Sequence, residues 1–165
     1  MKKFLAIVAL CTLLCNVFAV TMRGSFGVLK GESRARLEVN YANATIYGMD
    51  ESSFALEEKD WEKDKPEILE HFMEGIQENL GRKLELFTST SEPGFIIRID
   101  VVEISTSGAC LCDVVLVDQL GTELGRLESI SGAGKGGTKL RRIKNSAEEA
   151  GLSIGKLLKK AIKKS

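Results

Sequence analysis

Histidine and cysteine are scarce in this chain of 165 residues. There is one histidine, His71, and of four cysteines only Cys110 and Cys112 lie beyond the first 19 residues. A tetrahedral zinc site needs more nitrogen and sulfur ligands than that. With a single imidazole, any Ser-His or Cys-His nucleophile would have to use His71, and no G-x-S-x-G elbow occurs. No D-x-D-x-D-G calcium loop is present either. An excess of one charge sign is also missing. Lys and Arg total 23, as do Asp and Glu, which excludes the strongly basic class of nucleic-acid binder. At 44% hydrophobic and 28% charged, the chain is neither disordered nor a multi-span membrane protein. The expectation is a protein that is not an enzyme and carries no cofactor or metal.

What is present begins with an address. Lys2 and Lys3 precede an almost wholly apolar run over residues 4–18, broken by Thr12 and Asn16, and Val17-Phe18-Ala19 follows. This predicts a secretory signal peptide over residues 1–19, cleaved after Ala19. The run is short for a membrane span of about 20 residues. The alternative is an uncleaved N-terminal anchor. Cys11 and Cys15 follow Leu10 and Leu14, not a small residue, so no lipid anchor is expected. The lysine-led signal looks bacterial and predicts a periplasmic or secreted protein. Removing residues 1–19 takes away two lysines and no acid. It leaves 146 residues, 20–165, with a net charge of −2. No linker or internal repeat divides them, so they are read as one domain large enough to fold without staples.

Residues 24–29 and 36–47 are predicted to pair as a hairpin, the second showing Leu37, Val39 and Tyr41 in alternation. Residues 50–64 read as an acidic irregular stretch, with Phe54, Leu56 and Trp61 as staples. A helix is expected from Asp64 as cap, with Pro66 near its start and Leu69, Phe72, Met73, Ile76 and Leu80 on one face, and with Gly81 as either its C-cap or an interior glycine. Residues 95–101, 109–118 and 123–131 predict an antiparallel meander. Leu140, Ile143, Ala147, Ala150, Ile154, Leu157 and Ala161 then repeat at helical spacing, predicting one amphipathic helix over residues 139–163. The fold class is therefore α+β, an antiparallel sheet with two amphipathic helices packed on one face.

The alternation of residues 95–103, residues 112–118, Gly121, the glycine stretch over 132–137 and the helical pattern of 147–158 together resemble small bacterial envelope protein families. Many of those are lipoproteins. The order is also similar to that of the TolB N-terminal domain. The resemblance implies a non-enzymatic envelope protein and carries no residue-level function.

The glycine stretch, Gly132-Ala133-Gly134-Lys135-Gly136-Gly137-Thr138, holds the residue types of a phosphate cradle. A P-loop sets Lys directly before Ser or Thr, whereas two glycines separate Lys135 from Thr138. It is read as a strand-to-helix connection. Cys110 and Cys112 share a strand face nearly 7 Å apart, where a direct disulfide would be strained. They are read as buried structural thiols, with a candidate redox pair, intermolecular pairing and metal binding as alternatives. The acids of residues 57–74 are read as a solvated face.

Charge is unevenly placed. Residues 135–165 hold ten cations against two acids, or +8, while residues 20–134 hold 11 cations against 21 acids, or −10. Candidate contacts to an anionic surface are Lys135, Lys139, Arg141, Arg142, Lys156, Lys159, Lys160 and Lys163. The leading expectation is an exported, non-catalytic envelope protein acting as an interaction or structural module for an unknown envelope partner. The alternative is a peripheral binder of anionic lipid or ligand through the basic C-terminal helix. No nucleic-acid partner is expected.

Overall fold

In the computed structural model, residues 19–90 and 94–164 are described. The predicted signal segment, Ala19 apart, lies outside the described residues, as does the middle of the 89–94 turn. The meander forms as its alternation predicts. Strands β5 (Ile96–Ile104), β6 (Cys110–Val117) and β7 (Glu123–Gly132) pair antiparallel in sequence order. Ile97, Ile99, Val101 and Ile104 are buried, while Arg98 and Asp100 point to the other face.

The rest of the sheet corrects the expected hairpin. Residues 27–31 form a 3-10 turn, and β1 is only Thr21–Gly24, paired antiparallel to β7 at the sheet edge. Strand β2 (Arg34–Asn40) pairs parallel to β5 instead, in register from Arg36 with Ile96 to Asn40 with Asp100. Strand β3 (Thr45–Ile46) also joins β5 in parallel, and β4 (Glu85–Phe87) joins β2 in parallel. The sheet is thus mixed rather than antiparallel, in the order β1-β7-β6-β5-β2-β4. Alternation marks a strand but does not name its neighbour. Here the helices between β2 and β5 supply the crossover that parallel pairing demands.

The stretch expected to be irregular contains a helix, α1 (Glu51–Glu57). Asp50 caps it, its Oδ1 accepting from the Ser53 amide at 2.7 Å. Phe54 and Trp61 are buried and meet edge to face at 5.2 Å, with Tyr41 against Trp61 at 5.1 Å. Leu56, expected as a third staple, is 83% exposed. Helix α2 runs over Trp61–Leu80, starting earlier than its expected Asp64 cap, with Pro66 inside its second turn. Asp64 is a buried ion-pair member, not a cap. Gly81 ends α2 at φ 62°, as a left-handed glycine stop.

Helix α3 (Lys139–Lys164) matches the expected long helix. It lies against α2 on one face of the sheet, closing a single core that includes Ile68, Phe72, Ile76, Ile143, Ile154 and Leu158. The two helices meet through glycines. A Cβ at Gly151 would fall 2.5 Å from the Phe72 carbonyl oxygen, and one at Gly155 2.5 Å from that of Ile76. The buried stripe therefore includes Gly151, Gly155 and Leu158, with Leu157 only half-buried.

The opposite sheet face is covered by charged pairs rather than by helices. Arg98 Nε lies 2.8 Å from Asp100 Oδ1, which also accepts from Asn40 Nδ2 at 2.9 Å. Arg126 reaches Glu123 at 2.8 Å and Asp113 at 3.4 Å. Val115, in register with both Arg98 and Arg126, is fully buried beneath them. Long cationic side chains cover apolar surface in this way while their heads stay wet.

Candidate functional site

Helix α3 carries the basic charge, and its two halves use it differently. The first half spends most of its cations inside the molecule, although Arg141 is exposed and no carboxylate among the described residues lies within 4 Å of it. Lys135 Nζ lies 2.7 Å from Glu149 Oε1, and the Ala133 amide donates to Oε2 of the same carboxylate at 3.2 Å. The glycine stretch thus already holds an anion, a side chain of its own helix. Its Thr138 hydroxyl is also occupied, accepting from the Arg141 amide at 3.2 Å as a helix cap.

Lys139 reaches Glu58 at 2.9 Å and Glu57 at 3.5 Å, and sits over the ring of Tyr47 at 5.6 Å. Arg142 stands over the same ring at 5.9 Å. Lys144 bridges Glu67 at 2.5 Å and Asp64 at 3.2 Å. The hydrogen bonds they donate to Glu149, Glu58 and Glu67 raise Lys135, Lys139 and Lys144 respectively above the ordinary lysine value. Lys144 in turn holds Glu67 below the ordinary carboxylate value. Part of the acidic stretch read as a solvated face is therefore the docking ground of α3's first half.

The last turns are different. Lys156, Lys159, Lys160, Lys163 and Lys164 are all exposed. Among the described residues, no carboxylate lies within 4 Å of any of the five ammonium groups. Helical spacing sets Lys159 and Lys163 on one flank and Lys160 and Lys164 on the other. Each pair borders an apolar recess. On the first flank a cavity of about 290 Å³ lies between α3, the end of α2 and the 3-10 turn after β1, with Leu29, Leu80, Leu84 and Ile162 in its walls. On the second, a smaller recess of about 150 Å³ is walled by Val20, Met22, Leu127 and Leu157. Val20 and Met22 are 41% and 54% exposed. The described chain thus starts at the same end of the molecule as the unpaired lysines.

The remaining sequence candidates lie elsewhere. Cys110 and Cys112 are free, buried thiols on the core face of β6. A hydrogen bond that the Cys112 thiol donates to Cys110, together with burial, pushes the Cys112 thiol well above its ordinary value. His71 lies 3.7 Å from Glu148 on the surface between α2 and α3. Among the described residues, no group of three or more His, Cys, Asp or Glu is placed to hold a metal ion. No helix among them is long and apolar enough to cross a membrane.

The segregation of paired and unpaired lysines could not be read from α3 alone. The partners are Glu57, Glu58, Asp64 and Glu67, about eighty residues earlier. The apolar recesses were missed for a similar reason, since the walls of each come from three separate segments.

No protein-family model and no curated protein matches the chain. Among solved structures, the chain is similar to the PelC dodecamer from Paraburkholderia phytofirmans. They share 10% identity and a TM-score of 0.45, over 85% of this chain and 96% of that one. A point variant of that dodecamer gives 10% identity and a TM-score of 0.43, over 85% and 98%. Likeness at this level carries no functional argument.

Proposed function

We propose that this is an exported, non-catalytic envelope module that docks on an anionic membrane surface through the last turns of α3. The carrying observation is the cluster of five exposed lysines without partners, on a helix whose earlier lysines are ion-paired. A helix that only needed to balance the acidic body would spread its pairing along its length. The apolar stripe of α3 is buried in the core, so contact is electrostatic adsorption and not insertion of the helix.

The placement of the chain start supports the same orientation. A retained leader would emerge at Val20, beside Lys160 and Lys164, and hold this end against the membrane. Cleavage after Ala19 would instead leave a new α-ammonium group there, positive near neutral pH with a pKa of about 8.

The test is cosedimentation with vesicles of phosphatidylglycerol against vesicles of phosphatidylcholine. Binding should be confined to the anionic vesicles and fall steeply with salt as charges separated by a Debye length are screened. Each lysine near an anionic surface contributes about 1 kcal/mol. Replacing Lys156, Lys159, Lys160 and Lys163 by Gln should therefore weaken binding by about a thousandfold. Unchanged retention of that variant would sink the reading and return a protein partner to the front.

A further inference from the structure

We propose that the 290 Å³ cavity beside the end of α3 accepts the acyl chain of an anionic single-chain lipid, with its headgroup held by the lysines around the mouth. The inference deepens the reading of the same basic end. It rests on that reading for the source of the ligand, a membrane leaflet.

The walls argue for a chain. Leu29, Leu80, Leu84 and Ile162 are aliphatic, and no aromatic ring or hydrogen-bonding amide or hydroxyl side chain joins them in the lining. Such walls cannot orient a planar or polar ligand, but they suit a flexible methylene chain. The volume is small, equal to about ten water-sized units of roughly 30 Å³ each. A methylene is of similar size, so there is room for one chain and not two.

The mouth argues for an anion. Lys30, Lys83, Lys159 and Lys163 complete the lining, brought there by three separate segments. All four are exposed, and no carboxylate among the described residues lies within 4 Å of them. Four cations around an apolar opening, with no acid among the lining residues, complement one anionic headgroup at the end of a chain.

The test uses radiolabelled decanoate, a fatty acid short enough for that volume, in equilibrium dialysis against the purified protein, with unlabelled decanoate and decanol as competitors. The expected result is saturable binding of one probe per chain, displaced by decanoate and at least tenfold less readily by decanol. Ile162→Trp, whose larger side chain intrudes on the cavity and keeps every lysine, should weaken probe binding at least tenfold and leave vesicle cosedimentation unchanged. If circular dichroism shows that this variant does not fold, the exposed pair Lys30→Gln and Lys83→Gln decides in its place, with the same loss expected.

Absence of saturable binding, equal displacement by decanol, or full affinity in a folded cavity variant each overturns the proposal. Vesicle binding without probe binding removes the acyl site and leaves surface docking standing. Probe binding without vesicle binding removes surface docking, and leaves an acyl site that is filled from free fatty acid.

Discussion

A methyl group at Gly151 would press on the Phe72 carbonyl oxygen, a backbone atom that cannot rotate away. On an exposed helix, glycine to alanine stabilises by about 1 kcal/mol. Here the sign should reverse. Gly151→Ala should lower the unfolding free energy, and Gly151→Val should lower it by roughly 3 kcal/mol or more as overpacking forces α2 and α3 apart. Urea denaturation measures both, and a gain in stability for either variant would refute the backbone-to-backbone crossing. The residue pattern of α3 identified its apolar stripe, because Ile143, Ala147, Ala150 and Ile154 recur at helical spacing. It did not identify Gly151 and Gly155 as contact residues. A glycine contributes nothing to a hydrophobic period, and its meaning here depends on which backbone lies opposite.

At the scale of the element, the sheet's outer face is held by charges that cross its strands. Burial alone would push Asp100 up, but hydrogen bonds from Arg98 and Asn40 outweigh it and hold the carboxyl below its ordinary value. A carboxylate with a depressed folded-state pKa stabilises the fold above its unfolded pKa of about 3.9. That contribution is lost as pH falls through the folded value. Asp100→Asn should therefore be less stable than the parent at neutral pH, with the difference closing on acidification below about pH 4. Thermal unfolding across that range measures it, and a difference that stays constant with pH would remove Asp100 from the ionic network.

Elements with long local periods were legible in sequence, as α3 and the β5-β6-β7 meander show. The three-residue strand β4 was not, being too short to establish alternation. Helix α1 was hidden by acids and serines, and became apparent only through its Asp50 cap and the burial of Phe54. The false hairpin of residues 24–47 came from assigning a sequence neighbour as a spatial one.

At the scale of the whole molecule, Cys110 and Cys112 lie inside one continuous core built from the sheet and helices α1, α2 and α3. A reagent reaches Cys110 and Cys112 only when that core opens. Modification by a bulky aromatic disulfide should follow the global unfolding equilibrium, shifting in parallel with urea stability in Gly151→Ala. Fast labelling of either thiol in the native protein would show a local opening of β6 instead. The same scale sets the functional asymmetry. The acidic segments of residues 57–67 meet the start of α3 and pair with Lys139 and Lys144, while its far end lies beside Val20 and Met22.

The sequence by itself determined that the chain is α+β, that α3 is one long amphipathic helix, and that positive charge gathers over residues 135–165. These are local properties, written in period and composition. Only the tertiary structure decided that β2 pairs parallel with β5, that α2 and α3 touch through glycine, and which lysines are left without partners. Each depends on residues tens of positions apart arriving at the same place, and the free energy of such contacts belongs to pairs that no local pattern identifies.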